Sequence, residues 1–238
     1  MTGAFAFARA LRCGARETVL IISSRVAVRC GVARKKSLDR LLSELTNAAP
    51  AVRSDALSRF FALDLRRTRP SRRQHDQLFR AVCALLASDP DENVRLHAAH
   101  VLTFWFEPRA TEALLTAASR EGESALVRGQ AIEGIGNTLQ ATPPGRQRQR
   151  VIPKLLGWLR DPAHEVRFWS VYAVGVLHAT EARSILEELA RTDEAMFQNW
   201  WRVRDEAEDA LASWELGGWP ERDPAWWSQA ALKATPEP

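Results

Sequence analysis

The sequence predicts an all-α chain, built as a right-handed α-solenoid of about five stacked helix pairs. Two observations predict it. The first is a recurring Val-Arg dipeptide: with 15 Val and 29 Arg, chance supplies roughly two such pairs, and there are six. Five of them, beginning at Val52, Val94, Val127, Val166 and Val203, share more than the dipeptide. Four residues after each Val stands a small residue (Ala56, Ala98, Ala131, Ser170, Ala207) and eight after stands a larger apolar one (Phe60, Leu102, Ile135, Val174, Leu211). The sixth pair, Val28-Arg29, lacks both. Spacing of i, i+4, i+8 lays the three residues on one helical stripe, and the small middle one admits a second helix closely.

The second observation is that an amphipathic segment precedes each of these helices: "LDRLLSEL", "DQLFRAVCALLA", "ATEALLTAA", "VIPKLLGWL" and "EARSILEELA". The unit is therefore a helix pair. Intervals between the valines are 42, 33, 39 and 37 residues, the range of stacked repeats. One pair cannot bury its own apolar stripe, so neighbours must stack in sequence. In "DPDENVRLHAAHVL" and "DPAHEVRFWSVYAV" an Asp-Pro step precedes the helix and suits an N-cap with proline at the first helical position.

Residues 37–214 hold this repeat body. Before it, residues 1–36 carry eight Arg or Lys against Glu17 alone and no sustained helical period. They read as a flexible basic leader, with an organelle transit peptide or a start codon set too far upstream as the other readings. After it, residues 215–238 read as a Trp-rich cap: Gly217 and Gly218 stop the last helix, and Asp223-Pro224 can open a short one bearing Trp226 and Trp227. Six of the nine tryptophans lie at or beyond position 200, as expected of a segment covering the last repeat; a peptide-docking aromatic cluster is the rival reading.

The layout D-P-x-x-x-V-R-x-x-[AS] resembles the HEAT repeat, particularly its short bacterial, phycobilisome-lyase-like form, over roughly residues 37–214. The resemblance implies HEAT-like (armadillo-like) helix pairs and an internal ladder in which turn Asp and helix Arg, six apart, bond between adjacent repeats. Asp89 with Arg95 and Asp161 with Arg167 match that pattern, and Asn47 with Arg53 is a weaker version. Gly122 before Arg128 and Gln198 before Arg204 depart from it.

On a helical wheel the second, third and sixth residues after each Val lie away from the buried stripe. In HEAT-like proteins that face usually lines the concave surface. Across the repeats these positions are Ser54, Asp55, Ser58; Leu96, His97, His100; Gly129, Gln130, Glu133; Phe168, Trp169, Tyr172; and Asp205, Glu206, Asp209. Three outward aromatics beside an acidic triplet would suit a basic or apolar protein or peptide through burial, cation-π contact and charge steering. The expected partner-binding set is Phe168, Trp169, Tyr172, His97, His100, Glu133, Asp205, Glu206 and Asp209. The alternative is that neighbouring helices or the cap cover the rings.

Other chemistries find less support. His97 and His100 share a helix face but lack an evident third metal ligand. The single His164-Glu165 pair sits in a turn, unlike the several His-Glu pairs of the iron-holding HEAT enzyme deoxyhypusine hydroxylase. Cys13, Cys30 and Cys83 form neither a disulfide framework nor a zinc pattern, and Cys83 reads as a core residue, pointing to a reducing, cytoplasmic setting. With no phosphate loop, nucleophile elbow or predicted strand, no catalytic residue, cofactor or metal is expected. Phycobilin lyases share the repeat class, which keeps a chromophore-handling enzyme as an alternative. HEAT-like DNA glycosylases grip DNA with a basic face, whereas the slots above carry Asp55, Glu133, Asp205, Glu206 and Asp209 and no Arg or Lys, disfavouring nucleic acid. The net charge of +4 comes from the leader: the remainder holds 25 basic and 28 acidic residues. Within it, residues 51–80 are Arg-rich and 181–223 acidic. No run of 18 apolar residues exists for a membrane span.

Overall fold

The computed structural model describes residues 34–60, 71–105, 107–198 and 201–220, with side chains described from Leu38 onward. Residues 1–33 and 221–238, and with them Cys13, Cys30, Trp226, Trp227 and most of the leader, lie outside the described residues. Ten helices run through these segments as five consecutive pairs: α1 Arg34–Leu45 with α2 Pro50–Phe60, α3 Arg72–Ser88 with α4 Glu92–Thr103, and α5 Pro108–Ala118 with α6 Ala125–Gln140. The last two are α7 Arg146–Trp158 with α8 His164–Val176, and α9 Arg183–Thr192 with α10 Val203–Leu216. The chain divides into two compact units, Met1–Trp105 and Phe106–Pro238. In the first, α1 packs on α2, α3 on α4, and α2 on α4. In the second, α6 packs on α5 and α8, and α8 in turn on α7 and α10.

The small residues sit where helical spacing puts them. Ala56, Ala98, Ala131, Ser170 and Ala207 have no measurable exposure, and Val94, Val127, Val166 and Val203 are equally buried. Ser170 keeps its hydroxyl satisfied inside by donating to the Val166 carbonyl at 2.7 Å. Between α6 and α8 the approach is closer still. A Cβ added at Gly129 would lie 2.8 Å from Trp169 Cδ1 and 3.0 Å from the Glu165 carbonyl, and one at Gly136 would lie 3.1 Å from Ala173 Cα. Larger side chains at these glycines force backbone apart, at about 1–3 kcal/mol for overpacking.

Between repeats the arginines make the joints. Arg53 holds Asp89 in a fork, Nε to Oδ2 at 2.7 Å and Nη2 to Oδ1 at 2.8 Å, while Nη1 donates to the carbonyls of Asn47 and Ala48. Arg128 holds Asp161, and Arg167 holds Asp193 with bonds of 2.6 and 3.1 Å. Each carboxylate thus meets the arginine of the preceding repeat. The arginine six residues onward takes main-chain oxygen instead: Arg95 bonds the Asp89 and Pro90 carbonyls and Arg167 those of Asp161 and Pro162. The departure at Gln198 does not break the pattern, because Asp193 replaces the missing turn Asp of the last repeat, and Arg128, six residues after Gly122, still bonds the Ala118 carbonyl and Asp161.

Two expectations are corrected. Asp89 is not an N-cap: Asp91 caps α4 by accepting from the Val94 amide, and α8 has Ala163 at its N-cap and no side-chain cap. Asp89 and Asp161 turn inward, each accepting an amide two residues on (Asp91, Ala163) while facing its arginine, which satisfies a buried carboxylate twice over. And the body is not free of strands. Met196–Phe197 (β1) and Trp201–Arg202 (β2) pair antiparallel, Met196 opposite Arg202 and Phe197 opposite Trp201, just before α10.

Burial alone would push the Asp89 carboxyl up, but the Arg53 guanidinium and the Asp91 amide together hold it below the usual range. A carboxylate lowered in this way contributes stability above its unfolded pKa of about 3.9 and loses it as the pH falls below that value. Asp89→Asn is therefore expected to lower the urea midpoint at pH 7, with the difference from wild type shrinking below about pH 4. A gap that does not change between pH 7 and pH 3 would refute the charge-pair account of this joint.

Candidate partner-binding faces

The faces defined by the second, third and sixth positions differ between the two units. In the second unit Phe168, Trp169 and Tyr172 are 0%, 5% and 3% exposed. The expectation that they stand outward is corrected. Every residue of α8 from Val166 to Val176 except Arg167 is buried, Ser170 being the one other non-aromatic polar side chain among them, and such a helix is covered on every side. Phe197 of β1 stacks on Phe168 at 4.6 Å and meets Trp169 edge-on at 5.6 Å. Trp219, just beyond α10, lies 5.9 Å from Tyr172. The Tyr172 hydroxyl donates to Asn137 Oδ1 on α6. Trp169 also fills the space that Gly129 leaves.

The acids of this unit are interior as well. Glu133, Asp205, Glu206 and Asp209 are all at most 5% exposed. Glu133 accepts from Gln130 Nε2 at 2.6 Å. Asp205 is held by Arg202 Nε at 3.0 Å, and Glu206 accepts the Trp201 indole N–H at 2.9 Å. The expected steering triplet is corrected accordingly: two of its three carboxylates are engaged by the hairpin of their own chain, and none faces solvent.

The first unit presents the same positions differently. Asp55 and Ser58 on α2 are exposed, Asp55 with 66% of its side chain, and Ser54, Leu96, His97 and His100 are half-buried. Asp55 accepts from Arg59 one turn on, which also bonds Glu44 of α1. Ser54 Oγ lies 2.6 Å from His97 Nδ1, joining α2 to α4. The His100 ring packs edge-on against Phe104 at 5.2 Å. Cys83 is half-buried on α3. Among the described residues no group of three or more His, Cys, Asp or Glu side chains is placed to hold a metal ion, and no helix is long and apolar enough to cross a membrane.

The comparisons with known proteins agree with this arrangement. A family model described as HEAT repeats matches residues 111–212. Residues 111–212 thus match HEAT repeats. Among solved structures it is similar to the complex of CpcE and CpcF of phycocyanin lyase from Nostoc sp. PCC7120, with a TM-score of 0.50 and 18% identity over 74% of this chain and 98% of that one. It is also similar to computationally designed armadillo repeat proteins for modular peptide recognition, with a TM-score of 0.45 and 21% identity over 74% of this chain and 81% of that one. No curated protein is similar to it by sequence.

Residues that sequence reasoning missed are Phe197, Trp201, Arg202, Trp219 and Asn137, which cover or bond the α8 and α10 faces. One signal for them was present: "FWSVYAVGV" leaves α8 no polar face, so something had to cover it. Burial holds the His97 imidazole below its ordinary pKa, against smaller opposing effects of Ser54 and the Asp91 charge. Between the ordinary value near 6.5 and the lowered one, the unfolded chain takes up a proton that the folded chain resists, so stability falls as the pH drops through that range. Urea midpoints are expected to decline from about pH 7 to about pH 5, and His97→Gln to flatten that decline. The same slope in both proteins would count against the assignment.

Proposed function

We propose that this protein is a non-enzymatic HEAT-repeat scaffold, and that its partner is a protein segment laid across α2 and α4 over Ser54, Asp55, Ser58, Leu96, His97 and His100. One observation carries the reading: equivalent helix positions other than Gln130 are buried in the second unit, where aromatic side chains of the chain itself cover α8, but exposed or half-buried in the first. A face mixing an exposed carboxylate, hydroxyls, imidazoles and Leu96 suits a segment with basic and apolar side chains, through hydrogen bonds and charge rather than deep apolar burial. The second unit supports this by example, since its face receives Phe197 and Trp219 from non-helical chain. The proposed setting is cytoplasmic, with residues 1–36 a leader outside the scaffold.

Asp55→Arg with Ser58→Arg changes two exposed positions, where substitutions usually shift stability by no more than about 0.5 kcal/mol. Captured from native lysate, a partner retained by tagged wild type is expected to be lost from the double variant while its helical content is unchanged. Equal recovery on both would overturn the assignment of this face.

A second reading follows from the similarity to the phycocyanin lyase complex, with a bilin as the ligand. A fold shared at 18% identity does not carry an activity across. Under the scaffold reading, purified protein leaves the visible spectrum of saturating bilin unchanged; a shifted band would favour the chromophore-handling reading.

A further inference from the structure

Two aromatic side chains cover the outer face of α8, and different backbone delivers them. Phe197 is fixed by the β1–β2 ladder, whose second strand is tied down by Trp201 on Glu206 and Arg202 on Asp205. Trp219 follows a pair of glycines. Gly217 closes α10 in the left-handed conformation at φ +70°, and a Cβ at Gly217 or Gly218 would meet nothing within 4 Å. A side chain at either residue would therefore stand in open space.

The place the ring occupies is shaped for it. Gly175 on α8 has no side chain where one would collide: an added Cβ would lie 3.0 Å from Trp219 Cζ2, 3.1 Å from Cη2 and 3.0 Å from Ala210 Cβ. Tyr172, one turn earlier, lies under the ring with planes 34° apart. Trp214 braces the back of the seat, its indole N–H donating to the Gly175 carbonyl at 3.0 Å while Arg183 sits 5.5 Å over its ring. An indole gains much from such a seat, being large, flat and apolar, and loses little conformational entropy on entering it.

We propose that this seat on α8, framed by Tyr172, Gly175 and Ala210, binds a tryptophan of an extended partner peptide, and that the chain's own Trp219 closes it until such a peptide displaces the ring. The inference goes beyond the proposed scaffold function and does not depend on the face in the first unit. A segment tethered through two residues competes at an effective concentration on the order of millimolar. An isolated tryptophan therefore cannot open the seat. A partner must add contacts of its own, which gives selectivity to a site whose central contact is a single ring.

The test uses the full-length chain and a fluorescein-labelled peptide with the sequence of residues 215–224, ELGGWPERDP, read by fluorescence anisotropy. Trp219→Ala is expected to bind the peptide at least about ten-fold more tightly than wild type, because the internal competitor is gone. Adding Tyr172→Ala to that variant, or replacing Trp by Ala in the peptide, is expected to abolish the gain. Equal affinity of wild type and Trp219→Ala, no binding to either, or binding indifferent to Tyr172 overturns the proposal. Far-UV circular dichroism checks folding, and if Trp219→Ala does not fold, Trp219→Phe serves instead. The smaller ring is expected to yield to the peptide with a gain of at least about three-fold, and no gain with that variant overturns the proposal equally. Failure here leaves the α2–α4 face untouched, since that reading is tested by Asp55→Arg with Ser58→Arg.

Discussion

The joint between repeats is an arginine fork, and the packing of each unit depends on it. Arg53, Arg128 and Arg167 each spend part of the guanidinium on main-chain oxygen of their own repeat and the rest on the carboxylate of the next. A turn between two helices leaves carbonyl groups without helical partners, and a turn pressed against a neighbour cannot satisfy them with water. One planar, permanently charged group with several donors answers both needs, which a lysine could not do. The aspartate side is equally constrained. Asp89, Asp161 and Asp193 each accept an amide two residues onward, which holds the turn in the shape that offers the carboxylate to the fork.

With turn and helix locked together, the Val-Arg helices within each unit are pressed side by side. That explains why the wheel-based expectation for the site failed in the second unit. The wheel treats each helix as having one buried stripe, facing its own partner. In the structure α8 has α7 on one side, α6 and α10 on two others, and the hairpin with Trp219 on the fourth. The positions of Phe168, Trp169 and Tyr172 are therefore interior, and their chemistry is packing. In the first unit the corresponding positions of α2 and α4 carry Ser, Asp, Leu and His, and several reach solvent.

How much was legible in the sequence follows from the range of each cause. The helix pairs, their order and the inward Ala56, Ala98, Ala131, Ser170 and Ala207 come from spacing within a dozen residues, and the structure places them as expected. The ladder was half legible. A local pattern of six identified Asp89, Asp161 and Arg167 as members of a ladder between adjacent repeats, and it passed over Asp193 because the β1–β2 hairpin separates that residue from Arg204. The cover on α8 was least legible. It is made of single side chains, Phe197 and Trp219, brought from 21 or more residues beyond the helix's last turn by a hairpin and a glycine stop. No periodicity marks such contacts, although the missing polar face of α8 did signal that a cover was needed.

Repeat proteins are commonly regarded as modular, lengthened or shortened by whole units. The all-round burial of α8 removes that freedom here. A terminal repeat ordinarily keeps a polar outer flank, so that losing its neighbour exposes little that is sticky. Here α8 is shielded in part by rings that the following chain brings in, Phe197 and Trp219. The fourth repeat therefore cannot serve as a terminus: dropping the pair that follows would uncover Phe168, Trp169 and Tyr172.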